Sequence, residues 1–125
     1  MPSESGDRPK VLLVEDDPTL SRLYVAYLER AGVTPYHAAT VAEAKATLAQ
    51  IQPSVVLLDL ILPDGHGFEV LQSLRDGESD APVIVVTSGG SISSAVESMR
   101  AGAYDFLVKP FSPEQFLAVI KKVLG

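Results

Sequence analysis

Asp59 ends the apolar run Ser54-Val55-Val56-Leu57-Leu58-Asp59, and Glu15 with Asp16 ends the other run of this kind, Val11-Leu12-Leu13-Val14. A carboxylate left unpaired in an apolar interior is strongly penalised. Acids at the ends of two core-like strands therefore suggest that something cationic collects them, and a divalent metal is the first candidate. Thr87, Ser88 beside it, and Lys109 fall at the ends of other strand candidates. Mg2+ keeps several waters and takes one or two carboxylates plus phosphate oxygens, which suits an open acid cluster better than a closed cage. A carboxylate can also attack phosphorus and form an acyl phosphate, provided that metal and lysine neutralise the crowded oxygens. In that chemistry Asp59 is the expected nucleophile, Asp16 a metal ligand, Lys109 a point charge for the product's oxygens, and Thr87 a hydroxyl donor.

These residues need elements that bring distant parts of the chain together. Short apolar runs alternate with stretches of helical period, the signature of a parallel α/β sheet. The expected strands are Lys10 to Val14, Pro35 to Ala38, Ser54 to Leu58, Pro82 to Val86 and Tyr104 to Val108, with Pro35 placing its strand at an edge. Asp17-Pro18 reads as N-cap and first helical position of a helix whose inner face carries Leu20, Leu23, Tyr24, Tyr27, Leu28 and Ala31, and which stops at Gly32. Thr40 with Glu43 and Ser112 with Gln115 match capping boxes that open the second and fifth helices. The third helix is expected from about Gly67 to Arg75 and the fourth from about Ser91 to Arg100, with Gly102 as its stop. Right-handed crossovers then give a flavodoxin-like (βα)5 doubly wound five-stranded parallel sheet of order 2-1-3-4-5, with its ligand crevice between the first and third strands. Glu15, Asp16 and Asp59 end those two strands.

Composition narrows the classes. The chain has 125 residues, 46% of them apolar and 21% charged, enough for one domain with a real core. Residues 1–8 read as a disordered tail. No apolar run approaches the ~20 residues that span a bilayer, so neither a membrane span nor a signal segment is expected. Cysteine is absent, which excludes disulfides, thiolate ligands and thiol nucleophiles, and a cytoplasmic location is expected. A net charge of -6 argues against direct nucleic-acid binding by this domain.

Four segments in order, Val14-Glu15-Asp16-Asp17, Asp59-Leu60-Ile61-Leu62-Pro63-Asp64-Gly65-His66-Gly67, Val86-Thr87-Ser88 and Phe106-Leu107-Val108-Lys109-Pro110-Phe111, resemble the receiver domain of bacterial two-component response regulators. The likeness runs from Lys10 to Leu124, and residues 94–106 look most like receivers of nitrogen-regulation type transcription activators. It implies a receiver over residues 9–125, a phosphorylation-dependent switch that takes a phosphoryl group onto Asp59 from a sensor histidine kinase or a histidine phosphotransfer protein. Mg2+, or Mn2+ in its place, would be bound by Asp16 and Asp59, by Glu15 through water, and by the backbone carbonyl of Ile61. Thr87 and Phe106 would be the switch pair, with the ring turning inward as the threonine moves. The output face would be the fourth helix, fifth strand and fifth helix. That face would serve a homodimer formed on phosphorylation or an output domain, fused or separate. The Lys109-Pro110 bond would be cis. The domain would be a phosphoacceptor rather than an enzyme, with Mg2+-dependent self-phosphorylation from small donors and self-dephosphorylation. Leu62 stands where methionine is usual, a swap of similar volume. Ser88, Gly89 and Gly90 replace larger or more common residues, so the fourth helix is expected to begin loosely.

Plainer readings compete at several positions. Asp17 is explained by capping, Asp64 as a turn residue, and His37 and His66 as ordinary edge-strand and loop histidines with no partner at ligand spacing. Phe106 on a core strand would by default be packing, as would Phe116, Val119, Ile120 and Val123 on the fifth helix. Exposed Lys121 and Lys122 suit that helix's dipole. Three other functions share features with the switch: a flavin carrier on the same fold, for which Glu15-Asp16-Asp17 would repel the cofactor phosphate; a haloacid-dehalogenase-like phosphatase, whose nucleophile follows the first strand; and a receiver-like partner-binding module without phosphorylation.

Overall fold

The computed structural model describes residues 8–88 and 92–125; of Thr87, Ser88, Ile92, Ser94 and Ala95 only the backbone is described. The strands are β1 (Lys10–Val14), β2 (Thr34–Ala38), β3 (Val55–Asp59), β4 (Ile61–Leu62), β5 (Gly65–His66), β6 (Val83–Ser88) and β7 (Asp105–Lys109). The helices are α1 (Pro18–Arg30), α2 (Val41–Leu48), α3 (Phe68–Asp76), α4 (Ile92–Arg100) and α5 (Pro113–Leu124). Five strands form one sheet in the order β2-β1-β3-β6-β7, and every neighbouring pair in it is parallel. With the small β4-β5 hairpin set aside, this is the expected flavodoxin-like order.

The central strands explain why the sheet needs helices on both faces. Side chains alternate across a strand, and here both sets are apolar. Leu12, Val14, Val56, Leu58, Val83 and Val85 pack with Val41, Ala44, Val70, Leu71 and Leu74 from α2 and α3. Val11, Leu13, Val55, Leu57 and Ile84 face the other way, onto Tyr24, Leu28, Phe116, Val119 and Ile120 from α1 and α5. Each such buried side chain contributes roughly 1.5–3 kcal/mol, so these two layers hold the fold and the polar site rides on them. Tyr24, Phe111 and Phe116 stack at 5.2 to 5.8 Å and tie α5 to α1.

Most local signals act as expected. Asp17 Oδ1 accepts from Thr19 N and Leu20 N, Ser112 and Gln115 form a reciprocal capping box, and Gly32 and Gly102 take the positive φ that ends α1 and α4. Lys109-Pro110 is cis. The differences are instructive. β3, β6 and β7 run one or two residues further than their apolar runs, because the ladder continues through Asp59↔Val86 and Ser88↔Lys109 regardless of side-chain polarity. α3 begins one residue later than expected, at Phe68; the expected start of α4 at Ser91 lies outside the described residues. On α1, Leu23 is exposed and so is Ala31, while Ser21 is buried. The buried stripe is centred on Tyr24 and Leu28; Leu23 lies about 100° round the helix from Tyr24, and Ala31 is already the C-cap. At α2, Thr40 accepts from Glu43 N, but Glu43 reaches Ala39 N instead of closing a box on Thr40. The expectations for the tail, up to residue 7, and for Gly89 and Gly90 lie outside the described residues.

Candidate functional site

In a parallel sheet all strand C-termini share one edge. Glu15 directly follows β1, Asp59 ends β3 and Lys109 ends β7, and the register keeps these ends level, with Val14 beside Leu58, Asp59 beside Val86 and Ser88 beside Lys109. From β1 the chain leaves toward β2 on one side of the sheet, whereas β3 leads to β6 on the other, so the crevice opens where the order reverses.

Lys109 occupies the centre. Its Nζ donates to Glu15 Oε1 at 2.8 Å and to Asp59 Oδ2 at 3.1 Å. The second oxygens are also held: Glu15 Oε2 accepts from Asp17 N at 3.1 Å, and Asp59 Oδ1 accepts from Ile61 N at 3.0 Å. Glu15 is only 2% exposed, Asp59 is half-buried and Asp16 faces solvent. Burial pushes the Glu15 carboxyl above its ordinary value despite Lys109 and the Asp17 N–H. Burial alone would lower the Lys109 ammonium, but hydrogen bonds and charge from Glu15 and Asp59 outweigh it and leave Lys109 above the ordinary lysine value. The two shifts agree physically: the more deeply buried glutamate is only partly compensated, while the lysine gains from two acids at once.

Glu15, Asp16 and Asp59 can each offer one carboxylate oxygen within 4.8 Å of the others. Three acids face one ammonium, and a divalent cation would balance the surplus negative charge. All donors are hard oxygens, and Asp16 is open to solvent, which fits a cation that retains waters.

The remaining expected residues divide clearly. Ile61 contributes the N–H that holds Asp59, while its own side chain is 69% exposed. Thr87 is placed by its backbone in β6, opposite Val108; its side chain lies outside the description. Phe106 is not core packing: β7 is an edge strand and the ring is 39% exposed. Val96 and Met99 on α4, Tyr104 just before β7 and Val108 within it are exposed as well. Asp17 is the α1 cap. His37 Nε2 lies 2.7 Å from the Glu15 carbonyl oxygen, and His66 Nδ1 accepts from Phe68 N.

Between β3 and α3 the chain forms the antiparallel β4-β5 hairpin, which the apolar pattern does not announce. Asp64, at its tip, accepts from Val41 N and Ala42 N of α2, a tertiary cap where only a turn residue was expected. The loop is Pro63-Asp64, with Gly65 already paired to Leu62, and the turn-forming run Pro63-Asp64-Gly65 after the apolar pair Ile61-Leu62 is the signal that could have shown a turn there.

The family described as Response regulator receiver domain matches residues 11–121. A curated relative, the DNA-binding dual master transcriptional regulator RpaA of Synechocystis sp., is 38% identical over 118 residues, covering 93% of this chain and 49% of its own. The chain thus spans about half of that relative. Among solved structures, a CheY-like response regulator receiver domain protein from Methanospirillum hungatei JF-1 superposes with a TM-score of 0.87 at 30% identity, covering 94% of each chain. The receiver domain of NtrX from Brucella abortus gives 0.86 at 28% identity, covering 91% of this chain and 97% of its own.

Proposed function

Because this chain belongs to the response regulator receiver domain family, whose members carry phosphorylation-dependent signalling in two-component systems, we propose that Asp59 is its phosphoacceptor and Lys109 the cation that serves it. The observation that carries this reading is the single ammonium shared by Glu15 and Asp59 at the strand edge. The phosphoacceptor unit is residues 9–125. Its donor is a phosphohistidine on a sensor kinase or phosphotransfer protein, and the domain is cytoplasmic; among the described residues no helix is long and apolar enough to cross a membrane.

In the transfer, a carboxylate oxygen of Asp59 forms a bond to phosphorus as the bond from phosphorus to the donor's imidazole nitrogen breaks, with the electron pair staying on nitrogen. The Ile61 N–H restrains the rotation of the Asp59 carboxylate, so the attacking group is already oriented. Lys109 stands ready to follow charge from the carboxylate onto the phosphoryl oxygens, and buried Glu15 keeps the ammonium in place. Asp16, Asp59, Glu15 through water, and the Ile61 carbonyl would hold Mg2+ or Mn2+, which when bound supplies further neutralisation of phosphoryl charge. Small donors such as acetyl phosphate would serve for self-phosphorylation, and water for the reverse loss. Thr87 would follow the new phosphoryl group and Phe106 would turn inward. The exposed apolar side chains on α4 and β7 support an output face formed by α4, β7 and α5, open to a second copy or to an output domain.

Intact mass after incubation with acetyl phosphate or phosphoramidate and Mg2+ tests this. One phosphoryl adduct is expected, absent in Asp59→Asn and after chelation. An adduct that persists in Asp59→Asn refutes the assignment, and absence of both adduct and beryllofluoride binding in folded, metal-replete protein leaves a partner-binding module.

A further inference from the structure

Asp64 sits at one end of the β4-β5 hairpin and the proposed acceptor at the other. Its Oδ1 accepts from Val41 N at 2.8 Å and its Oδ2 from Ala42 N at 3.1 Å. The Thr40 hydroxyl takes the next donor of the same turn, Glu43 N, at 3.0 Å, and Ala44 N begins the ladder on the Thr40 carbonyl. The free donors of α2 are therefore divided between its own N-cap and a carboxylate on another element.

The base of the hairpin is locked onto Asp59. Gly67 N donates to the Leu60 carbonyl at 2.7 Å, and a Cβ at Gly67 would meet the Asp59 carbonyl oxygen at 2.5 Å, so this approach requires glycine. Ile61 N holds Asp59 Oδ1. Leu60 and Leu62 are buried and set how deep the hairpin lies. Apolar burial is non-directional, and paired strands this short have little stability of their own. Of the directional contacts that remain, His66 N on Glu69 Oε2 at 3.3 Å holds β5 to α3, and the two hydrogen bonds of Asp64 orient the tip on α2.

We propose that Asp64 is a positioning residue for the acceptor site: by tying the hairpin to α2 it fixes the Ile61 main chain and, through it, the Asp59 carboxylate and the carbonyl offered to metal. The inference rests on the phosphoacceptor reading above. A role as a helix cap alone would affect α2 and leave the site untouched, and Thr40→Ala supplies that comparison because it removes a cap of the same helix without touching the hairpin.

The test measures Mg2+ affinity by titration calorimetry, the phosphorylation rate with acetyl phosphate at saturating Mg2+, and amide exchange at Ile61, in wild type, Asp64→Ala and Thr40→Ala. Asp64→Ala is expected to weaken Mg2+ about 10-fold, the scale of losing a group that orients a metal ligand, and to speed Ile61 exchange. Thr40→Ala should lower the urea midpoint but leave Mg2+ affinity, phosphorylation rate and Ile61 exchange at wild-type values. Wild-type affinity and exchange in Asp64→Ala, or equal losses in both variants, would overturn the proposal. Should Asp64→Ala not fold, Asp64→Asn is judged by the same criteria. A wild-type protein that neither binds Mg2+ nor takes a phosphoryl group defeats the acceptor reading instead, and the metal-free exchange at Ile61 still decides whether Asp64 positions that main chain.

Discussion

From β3 through the hairpin to α2, one flank of the acidic pocket is held by directional contacts: Ile61 N on Asp59, Gly67 N on Leu60, and Val41 N and Ala42 N on Asp64. The other flank, α4 and β7, presents Val96, Met99, Phe106 and Val108 half-exposed to solvent. The first flank holds the Asp59 carboxylate and the hairpin main chain in one geometry. The second has unspent apolar surface, so a rearrangement or a partner there could bury area that is now wet. Lys109 joins them, since it ends β7 while its ammonium rests on Glu15 and Asp59.

The largest effect should come from cutting that joint. Lys109→Met leaves Glu15 buried without its cation, and breaking a buried pair typically costs 3 kcal/mol or more, so about 3 kcal/mol is expected at pH 7 because Glu15 can escape by protonation. The loss should shrink in acid. Glu15 already has a folded value above its ordinary 4.5 through burial; removing the lysine raises it further, so the folded state then holds the proton more tightly and stability falls as pH rises through that window. Urea titrations of variant and wild type across this range check it, and a pH-independent difference would mean that Glu15 is not the group left unpaired.

Next is the locked flank itself. Gly67→Ala forces a methyl against the Asp59 carbonyl oxygen and should cost about 1–3 kcal/mol, as overpacking does. Gly77→Ala makes a fair control, because its added methyl meets nothing closer than 3.5 Å; it should leave stability within about 1 kcal/mol and on the favourable side, since it only restricts the unfolded chain. Equal losses in the two would place the effect in glycine replacement generally and not in the approach to Asp59.

Asp64 sharpens the comparison through acid. The N–H groups of Val41 and Ala42 hold its carboxyl below the ordinary 3.8, so its contribution is complete above that value and is lost as pH falls through the lower folded one. Asp64→Asn should flatten the acid limb of stability against pH; an unchanged limb would mean that the cap does not form in solution.

The smallest effects belong to the open flank. Val108→Thr and Met99→Gln should change stability by no more than about 0.5 kcal/mol, as exposed substitutions do. A larger loss in chemical denaturation would show that this flank is packed in solution and that the contrast between the two sides is overstated.

Local chemistry in the sequence was enough for the α1 and α5 caps and the alternation of strands with helices, and together with the family resemblance it gave the sheet order and the convergence of Glu15, Asp16, Asp59 and Lys109. The reason is that apolar runs of strand length, caps and glycine stops act over a few residues, and a parallel sheet then brings strand C-termini to one edge whatever the details. The tertiary structure alone decided the rest. Leu23 is exposed because it lies outside the buried stripe of α1, a fact not written in its neighbours, whereas Phe106 is exposed on a strand that the sheet order itself puts at an edge. The Asp64 cap on α2 joins positions 23 apart, and the shared ammonium of Lys109 joins residues 94 and 50 apart. Such contacts depend on where two elements end in space, which spacing along the chain does not encode.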